Sequence, residues 1–154
     1  MQREQYPALH AGAPPIDCDR NDDDQTTPTS RPPREAIDVL IVEDEPMVAL
    51  NLKEVLEQYG YHVIGIAADA ERASILAETF RPHLSIVDFR LASAIDGVTL
   101  AHELVQRYHS AVVFVTGDPR AVCEHGWEFR HAILAKPFSD GELEAAIAAA
   151  CRPL

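Results

Sequence analysis

From position 37 onward the chain carries short apolar runs, at 37–42, 61–67, 83–88, 111–115 and 131–135, the first of them bounded by charge. Their length and β-branching predict strands. Because they are apolar on nearly every position rather than on alternate ones, they predict strands buried on both faces. Between them the period changes to that of a helix. Val48, Leu52, Val55, Leu56 and Tyr59 share one face, with Pro46 at the expected first position and Gly60 placed as the stop. A second helix is expected over 70–80, ended by Arg81-Pro82, and a third carries Val98, Ala101, Leu104, Val105 and Tyr108 inward. Gly126 leaves room for only a short fourth helix in 118–129. Ser139 followed by Glu142 makes a capping box for a fifth, with Leu143, Ala146, Ile147 and Ala150 inside. Strict alternation of strand and helix predicts an α/β fold, a doubly wound five-stranded parallel sheet with helices on both faces.

The first 35 residues have another texture. Six of the 11 prolines fall there, with the polar run 17–25, and large apolar side chains are few. Such a stretch buries too little to offset the entropy of ordering. A disordered, acidic, proline-rich tail over 1–35 is expected, followed by a single domain over 36–154. The acidic run lacks the glycine turn and closing glutamate of a calcium loop.

In open parallel sheets the ligand site lies at the carboxyl ends of the strands. The first strand ends in Glu43-Asp44-Glu45, the third in Asp88, the fourth in Thr116-Gly117 and the fifth in Lys136-Pro137. Three carboxylates at one sheet edge repel one another unless a cation neutralises them. An all-oxygen set of this kind suits Mg2+. Thr116 and the unhindered amide of Gly117 offer donors to a phosphoryl group, and Lys136 offers an ammonium.

The net charge of −12, with 13 basic residues and no basic cluster, excludes a nucleic-acid surface. Cys18, Cys123 and Cys151 are scattered and odd in number, as reduced thiols would be. The N-terminus lacks the apolar run of a signal peptide, and no segment is long enough to cross a bilayer. A cytoplasmic location without membrane contact is therefore expected. Cys123 and His125 find no further ligands at zinc spacing.

From Ile37 to the C-terminus the sequence resembles the receiver domains of bacterial response regulators. The resemblance rests on Glu43-Asp44-Glu45-Pro46, Asp88 closing a strand, Asp96-Gly97 before the third helix, Thr116, and Lys136-Pro137-Phe138, all in order. It implies the flavodoxin-like strand order 2-1-3-4-5 and a cis bond at Lys136-Pro137. It implies that Asp88 takes a phosphoryl group from a histidine kinase or histidine phosphotransfer protein. Asp44, Asp88 and the backbone carbonyl of Arg90 would ligate Mg2+, with Glu43 acting largely through bound water. Thr116, Gly117 and Lys136 would hold the phosphoryl oxygens. The protein would then serve as a signalling switch, relay or phosphate sink for a downstream protein. The rival reading, a degenerate receiver that binds partners without phosphorylation, expects one of these residues to be missing. An aspartyl-phosphate phosphatase expects an Asp-x-Asp motif after the first strand. With no helix-turn-helix in the sequence, the chain is expected to be a stand-alone receiver.

Three features depart from the family pattern. Ile133 stands where receivers carry a switch aromatic, the fourth helix is short, and 89–95 lacks the usual proline. Phe114-Val-Thr-Gly117 resembles the signature of the subgroup nicknamed FATGUY, and the Asp88-Phe-Arg-Leu91 and Asp96-Gly97 segments resemble receivers of the general stress response. Without an aromatic at 133, the stretch 117–129, with Gly117, Pro119 and Gly126, is expected to be loosely held until phosphorylation orders it. Trp127 and Phe129 are either core anchors or an exposed contact patch, and the large area that aromatic rings bury favours the core.

Overall fold

In this computed structural model, residues 9–10, 36–91 and 96–152 are described. Most of the expected tail, and residues 92–95 of the loop after Asp88, lie outside them. Strands β1 (Leu9–His10), β2 (Asp38–Val42), β3 (His62–Ala67), β4 (Leu84–Asp88), β5 (Ala111–Thr116) and β6 (His131–Ala135) form one sheet. Its order is β1-β6-β5-β4-β2-β3, and every pairing is parallel. The five strands β2 to β6 have the expected order 2-1-3-4-5. The addition is β1: Leu9 and His10 pair with Ala132 and Ile133, within the stretch read as a tail. A free sheet edge offers unpaired amides and carbonyls to any extended segment in reach, and β1 takes up those of β6.

Helices α1 (Pro46–Gln58), α2 (Ala70–Phe80), α3 (Gly97–Tyr108), α4 (Pro119–Cys123) and α5 (Asp140–Ala150) connect the strands. Their ends follow local chemistry. Pro46 starts α1, and Gly60, at φ 84°, turns the chain after it. Asp69 and Asp96 accept the amides of Arg72 and Thr99, capping α2 and α3. The capping box of Ser139 and Glu142 is present in full.

Val39, Ile41, Ile86, Val113 and Leu134 face α1 and α5 in one apolar layer. Leu40, Val42, Val87, Phe114 and Ile133 face α2, α3 and Trp127 in the other. A sheet covered on both sides accounts for strands that are apolar throughout. What it leaves accessible is the row of strand ends.

Candidate functional site at the carboxyl strand ends

Backbone hydrogen bonds continue past the strands and hold the polar ends in place. Glu43 N–H donates to Ala67 O (2.9 Å), Phe89 N–H to Val115 O (3.1 Å) and Lys136 N–H to Thr116 O (2.8 Å). The sheet thus positions Glu43, Asp88, Thr116 and Lys136 as neighbours. The peptide bond between Lys136 and Pro137 is cis, as expected.

Lys136 Nζ donates to Glu43 Oε2 (3.0 Å) and to Asp88 Oδ2 (3.1 Å). The other oxygen of Asp88 accepts the Arg90 amide (2.8 Å), and Glu43 Oε1 accepts that of Glu45 (3.1 Å). Glu43 is 2 % exposed and Asp88 8 %. Burial is the main reason the Glu43 carboxyl titrates above 4.5. The neighbouring Asp88 adds to the rise, while the Glu45 amide and Lys136 oppose it. For Lys136, partial burial lowers the ammonium's pKa, but bonds and charges from both carboxylates outweigh it and raise it above 10.5.

Glu43, Asp44 and Asp88 can each present an oxygen with all three atoms within 4.8 Å of one another; Asp44 is the least buried of the three. Three anionic oxygens beside one ammonium leave negative charge to be neutralised. This donor set therefore fits a hard divalent cation such as Mg2+. The sequence-predicted Glu43, Asp44, Asp88 and Lys136 are thus brought together.

Thr116, 1 % exposed, closes β5, and its Oγ1 accepts the Asp118 amide (3.0 Å). Gly117 follows it with open space at its Cα. The exposed Arg90 side chain pairs with Asp118 (3.3 Å). Glu45 is exposed. Asp118 was not singled out from sequence, although Asp118-Pro119 carries the signal of a helix start: its Oδ1 accepts the Ala121 amide and caps α4. Gly97 enters the sequence reading only as part of the Asp96-Gly97 pair, with no role of its own. A Cβ there would lie 3.0 Å from the carbonyl oxygens of Asp88 and Phe89, so α3 begins hard against the chain leaving Asp88.

The model of the response regulator receiver domain family matches residues 39–148. The chain belongs to the response regulator receiver family. The receiver is 32% identical over 116 residues to the phyllosphere-induced regulator PhyR of Methylorubrum extorquens, covering 75% of this chain and 43% of that protein. It is 35% identical over 111 residues to the transcriptional regulatory protein PdtaR of Mycobacterium tuberculosis, covering 71% and 54%. Among solved structures it resembles the response regulator PhyR from Brucella abortus, with TM-score 0.68 and 28% identity over 75% of this chain and 48% of that one. It also resembles the receiver domain of a modulated diguanylate cyclase from Desulfovibrio desulfuricans, with TM-score 0.68 and 31% identity over 76% and 94%. The chain spans about half the length of the curated relatives it matches. Among the described residues, no helix is long and apolar enough to cross a membrane.

The stretch after Thr116, expected to be loosely held, contains a short helix and a buried ring. Helix α4 is formed, and Trp127, 8 % exposed, donates from Nε1 to Val122 O (2.7 Å). Trp127 packs on Phe114, Phe129 and His131, so Trp127 is a core anchor as expected, while Phe129 is half-buried against it. The aromatic side chains supply buried area that the glycines and the proline conceal in the sequence.

Proposed function

We propose that this receiver accepts a phosphoryl group on Asp88 from the phosphohistidine of a kinase or phosphotransfer protein, and passes its state to a protein partner. The observation that carries the reading is the Lys136 ammonium shared between Glu43 and Asp88, with Asp44 alongside. Asp88 Oδ2 forms the new P–O bond as the P–N bond breaks, and the leaving imidazole keeps the electron pair and takes up a proton. Lys136 turns from the carboxylate to an incoming phosphoryl oxygen, to which Thr116 and the Gly117 amide also donate. The Arg90 amide holds Asp88 in orientation. Asp44, Asp88, Glu43 and the Arg90 carbonyl are the groups that would hold Mg2+. When bound, it supplies neutralising charge to the transferring group.

The partner is a protein rather than a nucleic acid, consistent with the net charge of −12. A PhyR from Bartonella quintana, 27% identical, is described as an anti-anti-sigma factor. A protein-sequestering output of that kind fits this reading. The complete set of acid, nucleophile, hydroxyl and lysine favours it over a phosphorylation-independent binding module.

The test is mass spectrometry after exposure to a phosphorylated histidine kinase in Mg2+. One base-labile phosphoryl adduct is expected, absent in Asp88→Asn. Labelling that survives in Asp88→Asn refutes the nucleophile, and no adduct from any kinase of the source cell leaves the binding module.

A further inference from the structure

The position at which receivers carry a switch aromatic holds Ile133, yet an aromatic ring occupies that face of the sheet. Ile133 is the register partner of Phe114 on β5, and both belong to the apolar layer that contains Trp127. The Trp127 indole lies 4.6 Å from the Phe114 ring, centroid to centroid, at 34°. The ring thus comes from the segment before β6 rather than from β6 itself.

Two routes lead from this ring to Asp88. The first is polar and runs along α4. Thr116 Oγ1 accepts the Asp118 amide, Asp118 caps the first turn of α4, and the far end of α4 offers Val122 O to the indole N–H. A helix of five residues has little cohesion of its own. It is held as a strut between Thr116 at one end and Trp127 at the other. The second route is apolar. Phe89, which follows Asp88, meets Phe114 at 5.9 Å and His125 at 6.1 Å, and His125 lies 5.4 Å from Trp127.

We propose that Trp127 is the positioning residue that carries the phosphorylation state of Asp88 to the α4 surface, in place of an aromatic side chain at position 133. The proposal rests on phosphoryl acceptance at Asp88. When Thr116 turns to a phosphoryl oxygen, its charge-assisted bond draws on the bond to the Asp118 amide. The cap of α4 moves, and a one-turn strut transmits that movement to Val122 and the indole. Buried rings pack in discrete arrangements rather than sliding continuously. The output is therefore a change in how Trp127 seats against Phe114 and Val122, with α4 following it.

Trp127 is the chain's one tryptophan, so its emission reports on this movement directly. The experiment adds beryllofluoride with Mg2+ to the full chain and reads tryptophan emission, together with amide exchange across residues 119–127. In the native protein, both are expected to change. In Trp127→Phe, which keeps a ring but loses the indole N–H, the kinase-derived mass adduct on Asp88 should form as in the native chain. The exchange response of 119–127 should be lost. In Thr116→Ala, the emission response should be lost while the indole stays buried. Native emission that ignores beryllofluoride despite a formed adduct overturns the proposal, as does an undiminished exchange response in Trp127→Phe. Absence of any adduct in the native chain instead refutes phosphoryl acceptance itself. Should Trp127→Phe fail to fold, the native and Thr116→Ala emission measurements still decide the matter.

Discussion

Lys136 Nζ meets Glu43 Oε2 at 3.0 Å, joining residues 93 positions apart across the carboxyl ends of β2 and β6. Glu43 is the more buried partner, so the lysine is what makes a carboxylate tolerable there. This relationship also explains why Lys136 is poised at Asp88: one ammonium serves two acids.

Removing Lys136 should therefore cost more than an exposed ion pair would. Lys136→Met leaves Glu43 buried beside Asp88 with its charge uncompensated, a loss of about 3 kcal/mol. The double variant Lys136→Met/Glu43→Gln should recover most of it. Urea denaturation of the two single variants and the double variant measures the coupling. Strictly additive losses would show that the pair is not coupled.

Magnesium should raise the melting temperature of the free protein, because an ion held by the folded acid cluster would find no such site in the unfolded chain. At tenfold excess over its dissociation constant, the gain is about 1.4 kcal/mol, or roughly 3–6 °C. Asp44→Asn should lose most of this shift and Glu45→Gln little. Equal losses would place the ligand at the wrong acid. Differential scanning fluorimetry reads all three proteins.

Much of this arrangement is legible in the sequence, and for identifiable reasons. Asp88 closes an apolar run, so its strand fixes its place without reference to any other element. Thr116 and Lys136 do the same, and the parallel topology then forces them together. The Ser139 capping box and the cis Lys136-Pro137 bond are equally local in origin. The packing of 117–129 is not local. Gly117, Pro119 and Gly126 suggest looseness in one dimension, whereas Trp127 gains its partners from β5, α3 and β6. Nor could periodicity reveal β1, because two residues pairing with a sheet edge carry no pattern of their own.

Gly97→Ala tests the contact between α3 and the backbone leaving Asp88. The new methyl would sit 3.0 Å from two backbone oxygens, and backbone cannot yield as a flexible side chain can. A stability loss of about 1–3 kcal/mol is expected, with slower labelling of Asp88 because its carboxylate is displaced. Gly141→Ala, where a Cβ meets nothing within 4 Å, serves as the control. Equal stability and labelling in both variants would rule out the tight contact.

His131 gives the protein a pH dependence of its own. It is 4 % exposed, stacks near Phe114, Trp127 and Phe129, and Nε2 has no hydrogen-bond partner. Nδ1 lies 3.1 Å from Phe129 O, and a carbonyl only accepts, so the neutral ring carries its proton on Nδ1. Burial lowers its pKa below 6.5, against a smaller opposing effect from that carbonyl. The unfolded chain therefore binds a proton at this ring before the folded chain does. The stabilising contribution is complete above pH 6.5 and declines as pH falls from there through the lowered folded value. Asp96 and Glu142, held below 3.8 and 4.5 by amide hydrogen bonds at their helix starts, lose their contributions in a lower window. His131→Phe keeps a ring in the stack and removes the titration. The difference in unfolding free energy between native and His131→Phe proteins, measured by urea denaturation from pH 8 to pH 5, isolates this residue from the other groups. Relative to His131→Phe, the native protein should lose stability below pH 6.5. A difference that stays flat across the series would show that the ring protonates as readily in the folded state as in the unfolded one.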